Sequence, residues 1–134
     1  MPSKYVWTFE GKKKVKAMES RKRQVKDRAD AFLDSTLKEQ LITKQDASIR
    51  DARIVELYTK WRGNFFYFKA RFESKHPDAI SPFFEEGFAR IEYVGEDHFN
   101  LAYFRHTGKW WEVYREITLE QCLEKISDEQ MFQP

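Results

Sequence analysis

The sequence predicts an α+β fold: a twisted, mainly antiparallel meander of five or six strands, with a long N-terminal helix across one face and a short C-terminal helix at an edge. Two patterns carry that prediction. Between residues 14 and 43 no Gly or Pro interrupts an apolar repeat at helical spacing, and between residues 64 and 117 aromatic and β-branched residues recur in alternating runs separated by Gly-containing turns. A length of 134 residues suits one domain over 1–134, with a basic strand and helix in 1–43, the sheet in 53–117 and the closing helix in 118–127.

Each element has its own signature. Tyr5, Trp7 and Phe9 alternate with Val6 and Thr8 up to Gly11, which reads as a short first strand. Val15, Met18, Val25, Ala29, Phe32, Leu33, Leu37 and Leu41 then form the apolar stripe of a helix from Lys14 to about Thr43, while Ser35 and Thr36 mark a place where it can break. Residues 53–61 fit a helix through Ile54, Leu57, Tyr58 and Trp61, or a strand through Val55, Leu57, Thr59 and Trp61; the β-forming composition favours strand. From Asn64 to Glu73, Phe66, Phe68, Ala70 and Phe72 make one apolar face, and the other grades from aromatic to charged. Pro77 and Pro82 argue for a crossing loop over 74–86, with Phe83 and Phe84 plugging the rim of the core. Three strands follow, Gly87–Val94, Asp97–Arg105 and Lys109–Glu116, and Thr118 with Gln121 spells a capping box before a helix burying Leu119, Cys122, Leu123 and Ile126.

Charge is unevenly distributed. Residues 1–28 hold ten Lys or Arg against Glu10, Glu19 and Asp27, a local +7, and the remaining 106 residues sum to −5. Lys12, Lys13, Lys14, Lys16, Arg21, Lys22 and Arg23 are therefore the candidate contacts for nucleic acid, because clustered cations release condensed counterions on meeting phosphates. A solvated helix face explains the same run, and no aromatic residues are interleaved with it. An aromatic content of 16% excludes a disordered chain. No apolar run reaches the roughly 18 residues a membrane helix needs, and the first residues lack the apolar core of a signal peptide, so the expected location is cytoplasmic, without a membrane partner.

Turn geometry decides which side chains meet. A two-residue turn at Thr107-Gly108 pairs Phe104 with Trp111 and Ala102 with Val113, and one at Gly95-Glu96 adds Ala89, Ile91 and Tyr93 to the same face, the expected core. The second face then gathers Arg90, Glu92, Tyr103, Arg105, Trp110, Glu112 and Tyr114 as the candidate binding set, with Phe88, Phe99 and Leu101 among them. Aromatic rings rimmed by opposite charges are the texture of an interaction surface. A one-residue change in either turn exchanges the faces.

Catalytic chemistry finds little support. His76, His98 and His106 have no partner at metal-ligand spacing, Cys122 sits on an apolar stripe, and no nucleotide, nucleophile-elbow or metalloprotease motif occurs. No catalytic residue, metal ligand or cofactor is assigned. The expected function is a non-catalytic binding or protein-interaction domain that self-associates through a sheet edge or its second face. Nucleic-acid association through the basic helix is the first alternative, and a small-molecule or enzymatic site between the sheet and the Pro-containing loop is the second.

Overall fold

The computed structural model describes residues 16–46, 51–78 and 80–134. The predicted strand at Lys4–Glu10 and the start of the predicted helix at Lys14 lie outside them. A helix, α1 (Glu19–Phe32), continues through two π-wound stretches, Leu33–Leu37 and Glu39–Thr43. Five strands follow: β1 (Ala52–Arg62), β2 (Phe65–Ser74), β3 (Phe83–Gly95), β4 (His98–Phe104) and β5 (Trp110–Ile117). Helix α2 (Leu119–Asp128) and a 3-10 turn, Gln130–Phe132, close the described chain. Every strand pairs antiparallel with its sequence neighbour in the order β1-β2-β3-β4-β5, and residues 53–61 are strand.

Both helices lie on one face of this sheet. Val25, Ala29, Phe32, Leu33, Leu37 and Leu41 from the long helix and Leu119, Cys122, Leu123 and Ile126 from α2 join one apolar cluster with Ile54, Leu57, Phe66, Phe68, Phe72, Ile91, Phe99 and Leu101. The long helix tracks β1 from end to end. Asn64 Oδ1 accepts from the Ala17 amide (3.0 Å), Trp61 Nε1 donates to the Lys22 carbonyl (2.9 Å), and Lys26 Nζ donates to the Thr59 carbonyl (3.1 Å). Helix and strand are also matched in length, each spanning roughly 35 Å. At Ser35 and Thr36 the helix widens into π turns instead of breaking, which keeps Leu33, Leu37 and Leu41 on the core side. The capping box is present: Thr118 Oγ1 accepts from the Gln121 amide (3.2 Å), and Gln121 Oε1 accepts from the Thr118 amide (2.8 Å).

Two expectations need correction. Phe83 and Phe84 belong to β3 and not to a crossing loop: Phe83 pairs with Glu73 and Phe84 with Phe72, whose ring stacks on that of Phe84 at 5.0 Å. Pro82 only precedes the strand, where its missing N–H costs no ladder bond. The registers also differ by one residue. After β4 the Arg105 amide donates to the Lys109 carbonyl (2.8 Å), so the loop His106–Gly108 has three residues and Phe104 faces Trp110. After β3 the turn is Glu96-Asp97, and Val94 bulges between the pairs Tyr93–Phe99 and Gly95–His98. Leu101 and Phe99 therefore share the core face with Ile91 and Tyr93, whereas Phe104 and Trp111, expected in the core, are exposed.

Among the described residues, each edge of the sheet carries a feature that hinders further pairing. Along β1 the Gln45 side-chain amide acts as a neighbouring peptide, with its Oε1 accepting from the Ile54 amide (2.9 Å) and its Nε2 donating to the Ile54 carbonyl (2.8 Å). Along β5 two register shifts break the ladder, and Glu116 adopts a left-handed backbone (φ 52°). Bulges and occupied backbone groups are devices that stop strands from adding at an edge.

Candidate functional site

Alternation in β2 sends Phe66, Phe68, Ala70 and Phe72 into the core and leaves Phe65, Tyr67, Lys69, Arg71 and Glu73 on the side away from the helices. Cross-strand pairing extends that face. Lys60 lies opposite Tyr67, Tyr67 opposite Arg90, Arg90 opposite Ala102, and Ala102 opposite Glu112. Tyr58 neighbours Lys69, Glu92 neighbours Phe65, and Phe104 neighbours Trp110. Among the described residues, no helix packs on this face.

Its side chains form a lattice of rings and cations. The Arg90 guanidinium is 4.3 Å from the Phe65 ring centre and 5.0 Å from that of Trp110. Trp110 in turn meets Tyr67 at 5.7 Å and Phe104 at 5.2 Å, both edge to face. Arg71 lies 4.5 Å from the Phe83 ring, and Lys69 lies 6.0 Å from that of Tyr58. Ring faces are electron-rich, so such cations are attracted, and each contact fixes the rotamer of a long side chain that would otherwise sample many. Gly87 makes room for the lattice: a Cβ there would come within 3.1 Å of the Trp110 ring. Tyr58 donates its hydroxyl to Glu85 (2.5 Å), and Arg53 pairs with Glu73 (2.8 Å). Burial, then the Glu85 hydrogen bond and charge, push the Tyr58 phenol up to about 12.

The predicted binding set divides between the two faces. Arg90, Glu92, Trp110 and Glu112 stand on the open face. Tyr103 packs its ring against Phe132 at 6.2 Å, and Tyr114 donates to the Glu129 carboxylate (2.6 Å) with Lys125 Nζ at 4.9 Å from its ring, so both belong to the helix side. Arg105 lies against Trp111 at 4.7 Å, on that same side by strand parity. Tyr58, Phe65, Tyr67, Lys69, Gly87 and Phe104 are among the members that the predicted set lacks. Alternation alone puts Phe65, Tyr67 and Lys69 on a second face, and joining that face to the one carrying Trp110 takes the β2–β3 register.

The basic run is elsewhere. Lys12, Lys13 and Lys14 lie outside the described residues; Lys16 precedes α1, and Arg21, Lys22 and Arg23 occupy its first turns. Arg21 approaches the Tyr93 ring (5.9 Å) and Lys22 that of Trp61 (5.4 Å). Further along, Lys26 pairs with Asp30 (3.2 Å), and Arg28 grips Glu120 through two bonds of 2.8 Å. That contact raises the Arg28 pKa and lowers the Glu120 pKa, and it ties α1 to α2.

A cleft of about 330 Å³ lies beside the β4–β5 hairpin, lined by Glu86, Gly87, Phe104, Arg105, His106 and residues 133–134, and Glu86 is its one contribution from the stretch 74–86. Among the described residues, no three His, Cys, Asp or Glu side chains are placed to hold a metal ion. Cys122 is fully buried, and burial, with the Asp97 charge, pushes its thiol up to about 12, so no thiolate is available as a nucleophile. No described helix is long and apolar enough to cross a membrane.

No curated protein matches the chain, and no solved structure does. A family model does, over residues 16–134, a span that takes in the long helix, the whole five-stranded sheet and α2. On that match the chain belongs to the family described as Domain of unknown function (DUF3024).

Proposed function

We propose that the chain is a non-catalytic interaction domain of the cytoplasm that binds a second copy of itself through the open face of its sheet. The observation that supports this reading is the ring-and-cation lattice around Trp110 and Arg90: rigid, partly apolar, and on the face that the two helices leave bare among the described residues. Interfaces are enriched in Trp, Tyr and Arg: the rings bury much area for little lost freedom, and an Arg already held between rings, as Arg90 is, has less freedom left to lose. Among the described residues, the Gln45 contact on β1 and the register shifts at β5 disfavour pairing at the edges, which supports the face as the partner surface.

Charge and size both suit a second copy. Arg53, Lys60, Arg62, Lys69, Arg71, Arg90 and Arg115 share the face with Glu56, Glu73, Glu85, Glu92 and Glu112, so cations and carboxylates are interleaved on it, which suits a self-complementary partner better than a phosphate backbone. Five strands about 4.8 Å apart and roughly eight residues long give a footprint of about 650 Å². That lies within the roughly 600–1,000 Å² per partner of a stable complex. Of the nucleic-acid candidates, Arg21 and Lys22 lie over the Tyr93 and Trp61 rings of their own chain, which makes that alternative the second reading.

Sedimentation and a thermal melt of Trp110→Ala test the proposal. The wild type should be a dimer, and the variant should dimerise at least about five-fold more weakly while melting within a few degrees of it. A monomeric wild type whose variant merely melts earlier would mean that the face is covered by the same chain, and would overturn the reading.

A further inference from the structure

The open face is a charge dipole across its strands. On β1 and β2, Arg53, Lys60, Arg62, Lys69 and Arg71 outweigh Glu56 and Glu73, a net of +3. On β3 to β5, Glu85, Glu92 and Glu112 stand against Arg90 and against Arg115, whose guanidinium lies 2.6 Å from Glu112, a net of −1. A self-complementary two-fold interface must bring one patch against another patch of the same molecule. Resting on the self-association proposed above, we infer that the two copies are related by a two-fold axis running parallel to the strands along β3.

Only an axis in that direction lays the positive half of each copy over the negative half of the other. An axis across the strands would set β1 on β1 and oppose like charges, which costs specificity and affinity. The pairing registers make the match specific. Lys60, Tyr67, Arg90, Ala102 and Glu112 form one continuous row across the sheet. Rotation about β3 reverses this row, so Lys60 of each copy meets the carboxylate of Glu112 that Arg115 of the other copy already holds at 2.6 Å, and the large Tyr67 meets the small Ala102. Arg90, at the axis, is held within its own chain between Phe65 and Trp110. The aligned packing of two twisted sheets, crossing at about 30°, is compatible with this overlap near the axis.

Thiol cross-linking reads the axis directly. Sheets stacked about 10 Å apart are too distant for a disulfide, so a short bismaleimide is the suitable reagent. The native Cys122 is fully buried and stays out of the reaction. Lys60→Cys mixed with Glu112→Cys should yield a covalent dimer, and neither variant alone should. Charge reversal gives a second readout: Lys60→Glu should weaken dimerisation, and adding Glu112→Lys in the same chain should restore it. Self-cross-linking of Lys60→Cys, or a wild-type dimer that neither the mixed pair captures nor the double reversal restores, would overturn the axis while leaving self-association standing. A monomeric wild type would remove the self-association itself, and the axis with it.

Discussion

Tyr58 sits on the open face with its hydroxyl 2.5 Å from Glu85, a bond that exists only while the phenol keeps its proton. Burial and that carboxylate raise its folded pKa to about 12, above the ordinary 10. Between those values the folded chain holds a proton that the unfolded chain has lost. The contribution to stability is therefore complete below about pH 10 and disappears as pH rises through 12. In a spectrophotometric titration of the tyrosines, Tyr58 should ionise about two pH units late, and Tyr58→Phe should abolish that step while leaving in place the raised ionisation of Tyr114, which its bond to Glu129 causes. Gly87 illustrates what a sequence conceals at this scale. Its letter suggests a turn, whereas its role is to make space for the Trp110 ring, a neighbour 23 positions away.

Elements were legible where one period dominates, and their partners were legible only where turns and bulges could be counted. Alternation in β2 identified its buried residues, and Thr118 with Gln121 identified the start of α2. The relation of β3 to β4 and β5 was not legible, because Val94 bulges and His106–Gly108 replaces a two-residue turn, features worth one residue each that reverse a face. Four of the seven predicted binding residues remain together for that reason, and Tyr103, Arg105 and Tyr114 cross to the helix side. Another feature invisible to periodicity is Gln45, whose amide completes both backbone groups of Ile54. Gln45→Ala should leave that N–H and C=O without their partner and cost about 1–3 kcal/mol in a urea melt. Light scattering during refolding should rise as well, since the β1 edge is then open to strand addition.

At the scale of the molecule, both helices cover one face of the sheet, and the lattice of rings and cations lies on the other. The order β1-β2-β3-β4-β5 has a further consequence, for kinetics. Every ladder joins segments adjacent in the chain, so each hairpin closes a short loop at small entropic cost and the sheet can zip from turn to turn. Contacts between the two ends come at a higher cost. Arg28 meets Glu120 across 92 positions, and Phe132 is fully buried beneath the sheet only once β4 exists to receive it. The terminal turn is thus expected to dock after the rate-limiting barrier: in stopped-flow experiments Phe132→Ala should accelerate unfolding by one to several orders of magnitude, for a loss of about 3–5 kcal/mol, and leave the refolding rate nearly unchanged. A comparable slowing of refolding would place that turn in the nucleus. A chain built in this way can release its C-terminal turn without dismantling the hairpins, which makes that end the natural first point of local opening and of proteolytic attack.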